Sequence, residues 1–129
     1  MLRWTLMASL MFAALSHPAQ AVGDPAAGEK IFQRCRACHQ IGEAAKNAVG
    51  PKLNGLIGRP AGSIEGYSYS AANKNSGILW DELTFRDYIK APQVKIPNTK
   101  MVFPGLKVEQ EIDDIVAFLK QFDADGKKK

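Results

Sequence analysis

The chain has 129 residues, of which 46% are hydrophobic and 23% charged, as in an ordinary globular domain of modest size. This composition argues against a disordered chain, and no internal repeat is visible. The net charge of +4 is too small to indicate nucleic acid as a partner.

The first 21 residues have the form of a secretory signal peptide. Residues 1–3 supply a basic start, residues 4–15 are nearly all apolar, and Ala-Gln-Ala at 19–21 is typical of a cleavage site. A membrane anchor is the alternative, but a spanning helix needs about 20 apolar residues. We therefore expect a periplasmic domain over 22–129 without a stable membrane anchor, with a charge of 17 − 1 − 13 = +3 and with one Met and one His.

The first predicted helix opens at Asp24-Pro25, an N-cap followed by proline at the first helical position. Its apolar spacing carries on to Cys35, so we expect the two cysteines to end this helix. From Gly42 to Gly66 the chain is rich in Gly and Pro. So long an irregular segment is usually functional, and here it would wrap a cofactor.

Three more helices are predicted in the second half of the chain. Ser70 can cap a short helix that Gly77 ends, and a second runs from Asp81 to Lys90 before Pro92. The last helix has the clearest apolar stripe, and residues 126–129 are expected to form a flexible tail. No strand pattern competes, so the sequence predicts an all-α domain of helices in long loops. The predicted apolar faces comprise Leu83, Phe85, Tyr88 and Ile89, then Val108, Ile112, Ile115, Val116, Leu119 and Phe122.

Cys35-Arg-Ala-Cys38-His39 has the pattern of covalent attachment of a c-type haem. Residues i, i+3 and i+4 share one helix face, so two thiols can each bond a haem vinyl group while the imidazole of His39 reaches the iron. Zinc would need a fourth ligand, and the mature chain offers no further Cys or His. A thioredoxin-like dithiol would need a strand beside it, and a structural disulfide would leave His39 unexplained.

Met101 is the methionine available as a second axial ligand, since Met/His ligation is a standard haem arrangement. A core-filling Met is the plainer interpretation, and Lys95 or Lys100 could compete, although a neutral amine is costly at pH 7. Two strong ligands would close the iron to substrate. This favours an electron carrier over the alternatives, a haem enzyme such as a peroxidase or a small-ligand sensor.

Three further segments resemble class I cytochromes c, closest to mitochondrial cytochrome c and bacterial cytochrome c2. The resemblance runs from about Gly23 to Phe122 and implies a small all-α fold wrapped around one covalent haem c. The matching segments are Gly50-Pro51-x-Leu53-x-Gly55-x-x-Gly58-Arg59, Tyr69-Ser70-x-Ala72-Asn73-Lys74-Asn75-x-Gly77-Ile78-x-Trp80, and Ile96-Pro97-x-Thr99-Lys100-Met101-x-Phe103.

The resemblance also implies roles for individual residues. The Pro51 carbonyl would accept the second imidazole N–H of His39, and the Tyr88 hydroxyl would point at the Met101 sulfur. Gly28 would let the first and last helices cross closely, and Asn98, where the family often has glycine, tolerates a left-handed backbone. The haem propionates would be hydrogen-bonded or neutralised by Tyr69, Ser70, Trp80 and Thr99, with Arg59 nearby.

The resemblance also implies how partners are bound, through basic residues that surround the exposed haem edge. Such a ring would steer docking onto acidic surfaces of membrane redox complexes: a cytochrome bc complex as donor, and a photosynthetic reaction centre or terminal oxidase as acceptor. Ala48, Gln93 and Val108 stand where mitochondrial forms have lysine, so the face is sparser here. The expected protein is a monomeric carrier. Its candidate docking residues are Lys30, Arg34, Lys46, Lys52, Lys100 and Lys107.

Overall fold

The computed structural model describes residues 23–129, so the predicted signal peptide lies outside the described residues. Within 23–129 there are five helices and two isolated β-bridges, Pro60 with Leu79 and Phe122 with Lys128. No helix in this part of the chain is long and apolar enough to cross a membrane. The prediction of an all-α domain is confirmed. In chain order the helices are α1 (Pro25–Phe32), α2 (Ala71–Lys74), α3 (Glu82–Lys90), α4 (Pro92–Lys95) and α5 (Glu109–Leu119).

Helix α1 begins as predicted but ends before the cysteines. The Asp24 side chain caps it by accepting from the Ala26 amide at 2.9 Å, with Pro25 in the first turn. After Phe32 the chain tightens into turns, and the Cys35 amide bonds to the carbonyl three residues back, at 2.8 Å. The prediction that the cysteines end the helix is therefore wrong: they lie in turns, where the His39 amide bonds to the Cys35 carbonyl at 2.9 Å.

Helices α1 and α5 cross closely at Gly28. A Cβ at this position would overlap the Asp114 carbonyl and stand 2.7 Å from the Phe118 Cβ, so no larger residue fits without a shift. The rings of Phe32 and Phe118 pack beside this point with centroids 5.2 Å apart. Asp114 is buried in the same crossing and accepts from the Asp24 amide at 2.8 Å, a contact that sequence patterns did not indicate.

Some predicted helix bounds and faces differ from the structure. Helix α2 ends at Lys74, three residues before Gly77, which adopts a positive φ of 69°. Leu83 and Val108 are exposed, because each lies at the start of its helix outside the contact with the core. Phe122 is buried although it follows the end of α5.

The C-terminal residues differ from the flexible tail that the sequence predicts. The chain turns back after α5, and Phe122 and Lys128 form an antiparallel bridge. Gly126 is buried, and the Lys129 amide donates to the Gln121 carbonyl at 2.9 Å. Backbone hydrogen bonds, which composition does not reveal, fold this segment back toward the end of α5.

Candidate functional site

A largely apolar cavity of about 290 Å³ lies beneath the long loops, between α3, α5 and the turn after α1. Phe32, Leu56, Phe85, Ile115 and Leu119 contribute buried walls to it. The structure brings together at this cavity all eleven residues that the sequence predicts for cofactor and iron. They are Cys35, Cys38, His39, Pro51, Arg59, Tyr69, Ser70, Trp80, Tyr88, Thr99 and Met101.

Cys35 and Cys38 are free, partly buried thiols that line this cavity. Burial raises the pKa of the Cys35 thiol to about 11, against the opposing effect of Arg34. Within 23–129 no three side chains of the His, Cys, Asp or Glu type are arranged to hold a metal ion.

The His39 ring is held by a backbone carbonyl. Its Nδ1 lies 2.7 Å from the Pro51 oxygen, and since a carbonyl can only accept, Nδ1 carries the proton and Nε2 keeps its lone pair. Burial is the main cause that lowers the pKa of the imidazole, which favours this neutral form. A Cβ at Gly50 would come within 2.7 Å of the same Nδ1, so the glycine is required by the ring's position.

Met101 lies in a loop segment that begins at Asn98, here called the strap, and several hydrogen bonds fix its position. The Tyr88 hydroxyl donates to its sulfur at 2.8 Å, and its amide donates to Thr99 Oγ1 at 3.3 Å. The Gln93 side chain donates to the Met101 carbonyl at 3.3 Å, a contact that sequence reasoning missed. Asn98 begins the strap at φ 66°, a left-handed conformation that asparagine tolerates. Met101 is therefore placed at the cavity by specific contacts.

The polar end of the cavity contains buried groups without partners. Arg59 donates through Nη1 to the carbonyls of Lys52 and Asn54, at 3.1 and 2.8 Å. Its Nε and the Asn73 Oδ1 are buried with no hydrogen-bond partner. Burial lowers the pKa of the Arg59 guanidinium, yet arginine stays charged at neutral pH. The unpartnered Arg59 Nε is a donor on a buried cation beside an apolar slot, which fits an apolar macrocycle that carries acidic groups.

Several neighbouring side chains already have partners. Ser70 Oγ caps α2 by accepting from the Asn73 amide at 3.1 Å, and the Tyr69 hydroxyl accepts from the Ile64 amide at 3.1 Å. The Trp80 ring packs on Tyr88 with centroids 4.6 Å apart. Both hydroxyls act here as acceptors, so each keeps its own hydrogen to donate.

The six predicted docking residues differ in their surroundings. Arg34 and Lys100 line the cavity, whereas the other four do not. Arg34 makes a two-pronged ion pair with Glu111 at 2.9 and 3.0 Å. Lys100 donates to the Ser68 carbonyl and lies 4.5 Å from the centre of the Tyr67 ring. Lys107 donates to the Lys90 carbonyl, and Lys30 and Lys46 are exposed while Lys52 is partly buried.

Known proteins resemble this chain over nearly its whole length. The family described as Cytochrome c matches residues 25–123. Cytochrome c-554 of Methylosinus trichosporium is 57% identical over 125 residues, which cover 97% of this chain and 95% of that protein. Cytochrome c2 of Blastochloris viridis is 55% identical over 124 residues, covering 96% and 98%. The solved structure of cytochrome cH from Methylobacterium extorquens superposes with a TM-score of 0.72 at 47% identity, covering 76% of this chain and 98% of that one.

These matches agree with the cavity, since its free thiols, neutral imidazole and thioether are a donor set suited to a covalently held haem. The chain therefore belongs to the cytochrome c family: it is a class I c-type cytochrome close to cytochrome c2, an electron carrier rather than an enzyme, with one covalently attached haem c.

Proposed function

We propose that this protein is a periplasmic shuttle that moves single electrons between membrane redox complexes, with His39 and Met101 as the axial ligands of its iron. The observation that carries the proposal is that one cavity is lined both by His39, whose Nδ1 lies on the Pro51 carbonyl, and by Met101, whose sulfur accepts from the Tyr88 hydroxyl. Cys35 and Cys38 would form the two thioether bonds. Haem iron supplies a one-electron change between the ferric and ferrous states.

The chain's own residues would keep the two ligands in place during this change. The Pro51 carbonyl orients the His39 ring, and its hydrogen bond makes the imidazole a stronger electron donor. Tyr88 keeps its hydroxyl proton, because burial raises its pKa to about 12, and so it donates to the Met101 sulfur at any physiological pH. With both axial positions filled, electrons would pass without substrate binding to the metal.

The propionate end would be neutralised by this chain rather than by solvent. Arg59 brings a buried positive charge, and its Nε has no other partner. Tyr69, Ser70, Trp80 and Thr99 line the same cavity and would supply hydrogen bonds. Two acidic groups could not be buried there at a tolerable free energy without such donors.

The route of the electron is the finer part of the proposal. We infer that residues 1–21 direct export, that 22–129 fold as one monomeric domain, and that a cytochrome bc complex donates while a reaction centre or terminal oxidase accepts. The name cytochrome c2 of the relative from Blastochloris viridis is consistent with electron transfer to such complexes. Docking would use acidic partner surfaces, which would meet Arg34 and Lys100 at the cavity and, in addition, Lys30, Lys46, Lys52 and Lys107.

The ligand assignment is tested by visible spectra of the purified protein, oxidised, reduced, and reduced with carbon monoxide. We expect sharp reduced bands that carbon monoxide leaves unchanged, and a weak far-red sulfur-to-iron band in the oxidised protein. Met101→Ala should lose that band and bind carbon monoxide. Val102→Ala, a change at the exposed residue beside it, should behave as wild type. Ready binding of carbon monoxide by the wild type would instead favour a sensor or an enzyme.

The export step has its own experiment. Mass spectrometry of the periplasmic protein should find an N-terminus near residue 22 and a mass increased by one haem. A variant that lacks residues 2–21 should stay in the cytoplasm without covalent haem. An uncleaved chain in the membrane fraction would contradict the signal peptide.

A further inference from the structure

The C-terminal segment, residues 121–129, forms a hydrogen-bonded turn that the electron-transfer function does not explain. The Asp123 amide donates to the Lys127 carbonyl at 2.9 Å, and the Gly126 amide donates to the Asp123 carbonyl at 3.0 Å. The Phe122 ring packs edge-on against Phe118 at 5.3 Å, which fixes the turn on α5. Lys128 lies over the other side of Phe122, 5.7 Å from the ring centre.

This turn packs directly against a loop that is far from it in sequence. Gly126 is buried with φ at 80°, and a Cβ there would overlap the Gly42 carbonyl and lie 2.6 Å from the Asn54 Nδ2. On the same side, a Cβ at Gly55 would stand 3.0 Å from the Cα of Ala124. The backbones of the C-terminal turn and of the loop that spans residues 40–55 are therefore in close contact at two places.

The loop of residues 40–55 is the element that carries Pro51 to His39. Asn54, which is 4% exposed, bonds to both the amide and the carbonyl of Gly42 at 2.9 Å. The Leu53 amide bonds to the Gln40 carbonyl at 2.9 Å, so the two arms of the loop are joined. The Pro51 oxygen, 2.7 Å from His39 Nδ1, lies on the arm that these contacts hold.

We propose that the C-terminal turn is a positioning segment for the axial histidine: by wedging Gly126 against Gly42 and Asn54, it holds the loop of residues 40–55 and so keeps the Pro51 carbonyl on His39. The contact is made by the backbone, and only glycine fits at position 126. Its effect reaches the imidazole through Asn54 and Pro51. The inference rests on the proposed function, since the orientation of His39 matters because it would bind the iron.

The test uses NMR on the reduced, haem-loaded protein and measures the exchange rate of the His39 Nδ1 proton with solvent. Gly126→Ala adds a methyl at positive φ against the loop. Gly77→Ala is the matched control, because Gly77 has φ 69° but no atom within 4 Å of its added Cβ. Both variants carry the same backbone strain, so any difference between them reports the contact with the loop.

We expect the Nδ1 proton to exchange at least tenfold faster in Gly126→Ala than in Gly77→Ala, with a shift of its resonance. The free energies of unfolding of both variants are measured alongside, so that a global loss of stability is separated from local release of the proton. Equal exchange rates in the two variants, after that correction, would overturn the proposal.

A second measurement needs no variant and covers the case in which Gly126→Ala does not fold. In native-state hydrogen exchange, the Gly126 amide, the Gly42 amide and the His39 Nδ1 proton should become exchangeable in one opening step with the same dependence on denaturant. If Gly126 opened in a separate, earlier step while the other two stayed protected, the turn would not hold the loop. The carbon monoxide spectra of the same sample report the axial ligands, so a failure of the proposed function is seen independently.

Discussion

Tyr88 is a buried residue whose hydroxyl makes a specific contact with Met101. Its ring packs on Trp80, and its hydroxyl reaches the Met101 sulfur at 2.8 Å. With Met101 as the proposed axial ligand, a hydrogen bond to its thioether would withdraw electron density from the iron and so favour the ferrous state. Tyr88 would then tune the reduction potential without binding the metal.

Removing this hydroxyl should lower the reduction potential. A neutral hydrogen bond contributes about 0.5–1.5 kcal/mol, and for one electron 59 mV corresponds to about 1.4 kcal/mol. Since only the part of this energy that differs between the ferric and ferrous states moves the potential, Tyr88→Phe should shift it downward by up to roughly 60 mV. Cyclic voltammetry at pH 7 measures the shift. Tyr67→Phe is the matched control, because that hydroxyl donates to the Val49 carbonyl at 2.7 Å instead. An upward shift in Tyr88→Phe, or equal shifts in both variants, would contradict this role.

The raised pKa of Tyr88 predicts that the folded protein loses stability in alkali. Burial raises its pKa to about 12, whereas the unfolded chain ionises at about 10. Stability from a raised pKa is fully present below the unfolded value and is lost as the pH rises through the folded value. Between pH 10 and 12 the wild type should lose up to about 2.7 kcal/mol more free energy of unfolding than Tyr88→Phe. Denaturant titrations of the reduced proteins at both pH values would reveal this, and parallel losses would refute it.

At the residue level, the sequence predicts chemistry better than packing. The spacing of Cys35, Cys38 and His39 follows from the chemistry of haem attachment and can be recognised from the sequence alone. Gln93 and Asn73 carry no such pattern, since a side chain that holds a strap or faces a cavity is defined by elements far away in sequence. Arg34 and Lys100 have charges that sequence reveals, but their partners Glu111 and Ser68 are set by the fold.

The crossing of α1 and α5 is the most extensive contact between helices in the described part of the chain. Both helices contribute walls to the cavity, Phe32 from one and Ile115 and Leu119 from the other. Gly28 makes the close approach possible, as the resemblance implies, and this expectation is confirmed by the overlap that a Cβ would cause. The end of α1 was harder to predict, because apolar spacing continues through turns that no longer form an α-helix.

Adding one methyl at this crossing should be costly. In Gly28→Ala the new Cβ meets the Asp114 carbonyl, a backbone atom that cannot rotate away. Overpacking of this kind costs up to about 3 kcal/mol, and alanine returns at most about 1 kcal/mol in helix propensity. We expect the free energy of unfolding to fall by about 2 kcal/mol in guanidinium titrations. Ala26→Gly, at an exposed position of the same helix, measures how much helix propensity alone changes the free energy of unfolding. A Gly28→Ala protein as stable as wild type would contradict the close crossing.

Over the whole molecule, the distribution of charge matters more than its total. Residues 22–129 carry a net charge of +3, and among their arginines Arg34 and Arg59 line the cavity while Arg86 does not. Arg34 is half-exposed and paired with Glu111, whereas Arg86 is paired with Asp113 at 2.6 Å. A charged reactant that approaches the cavity should therefore feel Arg34 strongly and Arg86 weakly.

Electron transfer to an anionic oxidant tests this field directly. Arg34→Gln and Arg86→Gln make the same change in net charge, and each removes a cation that is paired with acidic side chains, Glu111 for Arg34 and Asp113 with Glu82 for Arg86. The variants differ in that only Arg34 lines the cavity. At low ionic strength, stopped-flow oxidation by hexacyanoferrate(III) should be about two- to fivefold slower in Arg34→Gln and nearly unchanged in Arg86→Gln, since a trivalent anion triples the Coulomb energy. At 0.5 M salt screening should abolish the difference. Equal rates of the two variants at low salt would mean that electrons leave by another face.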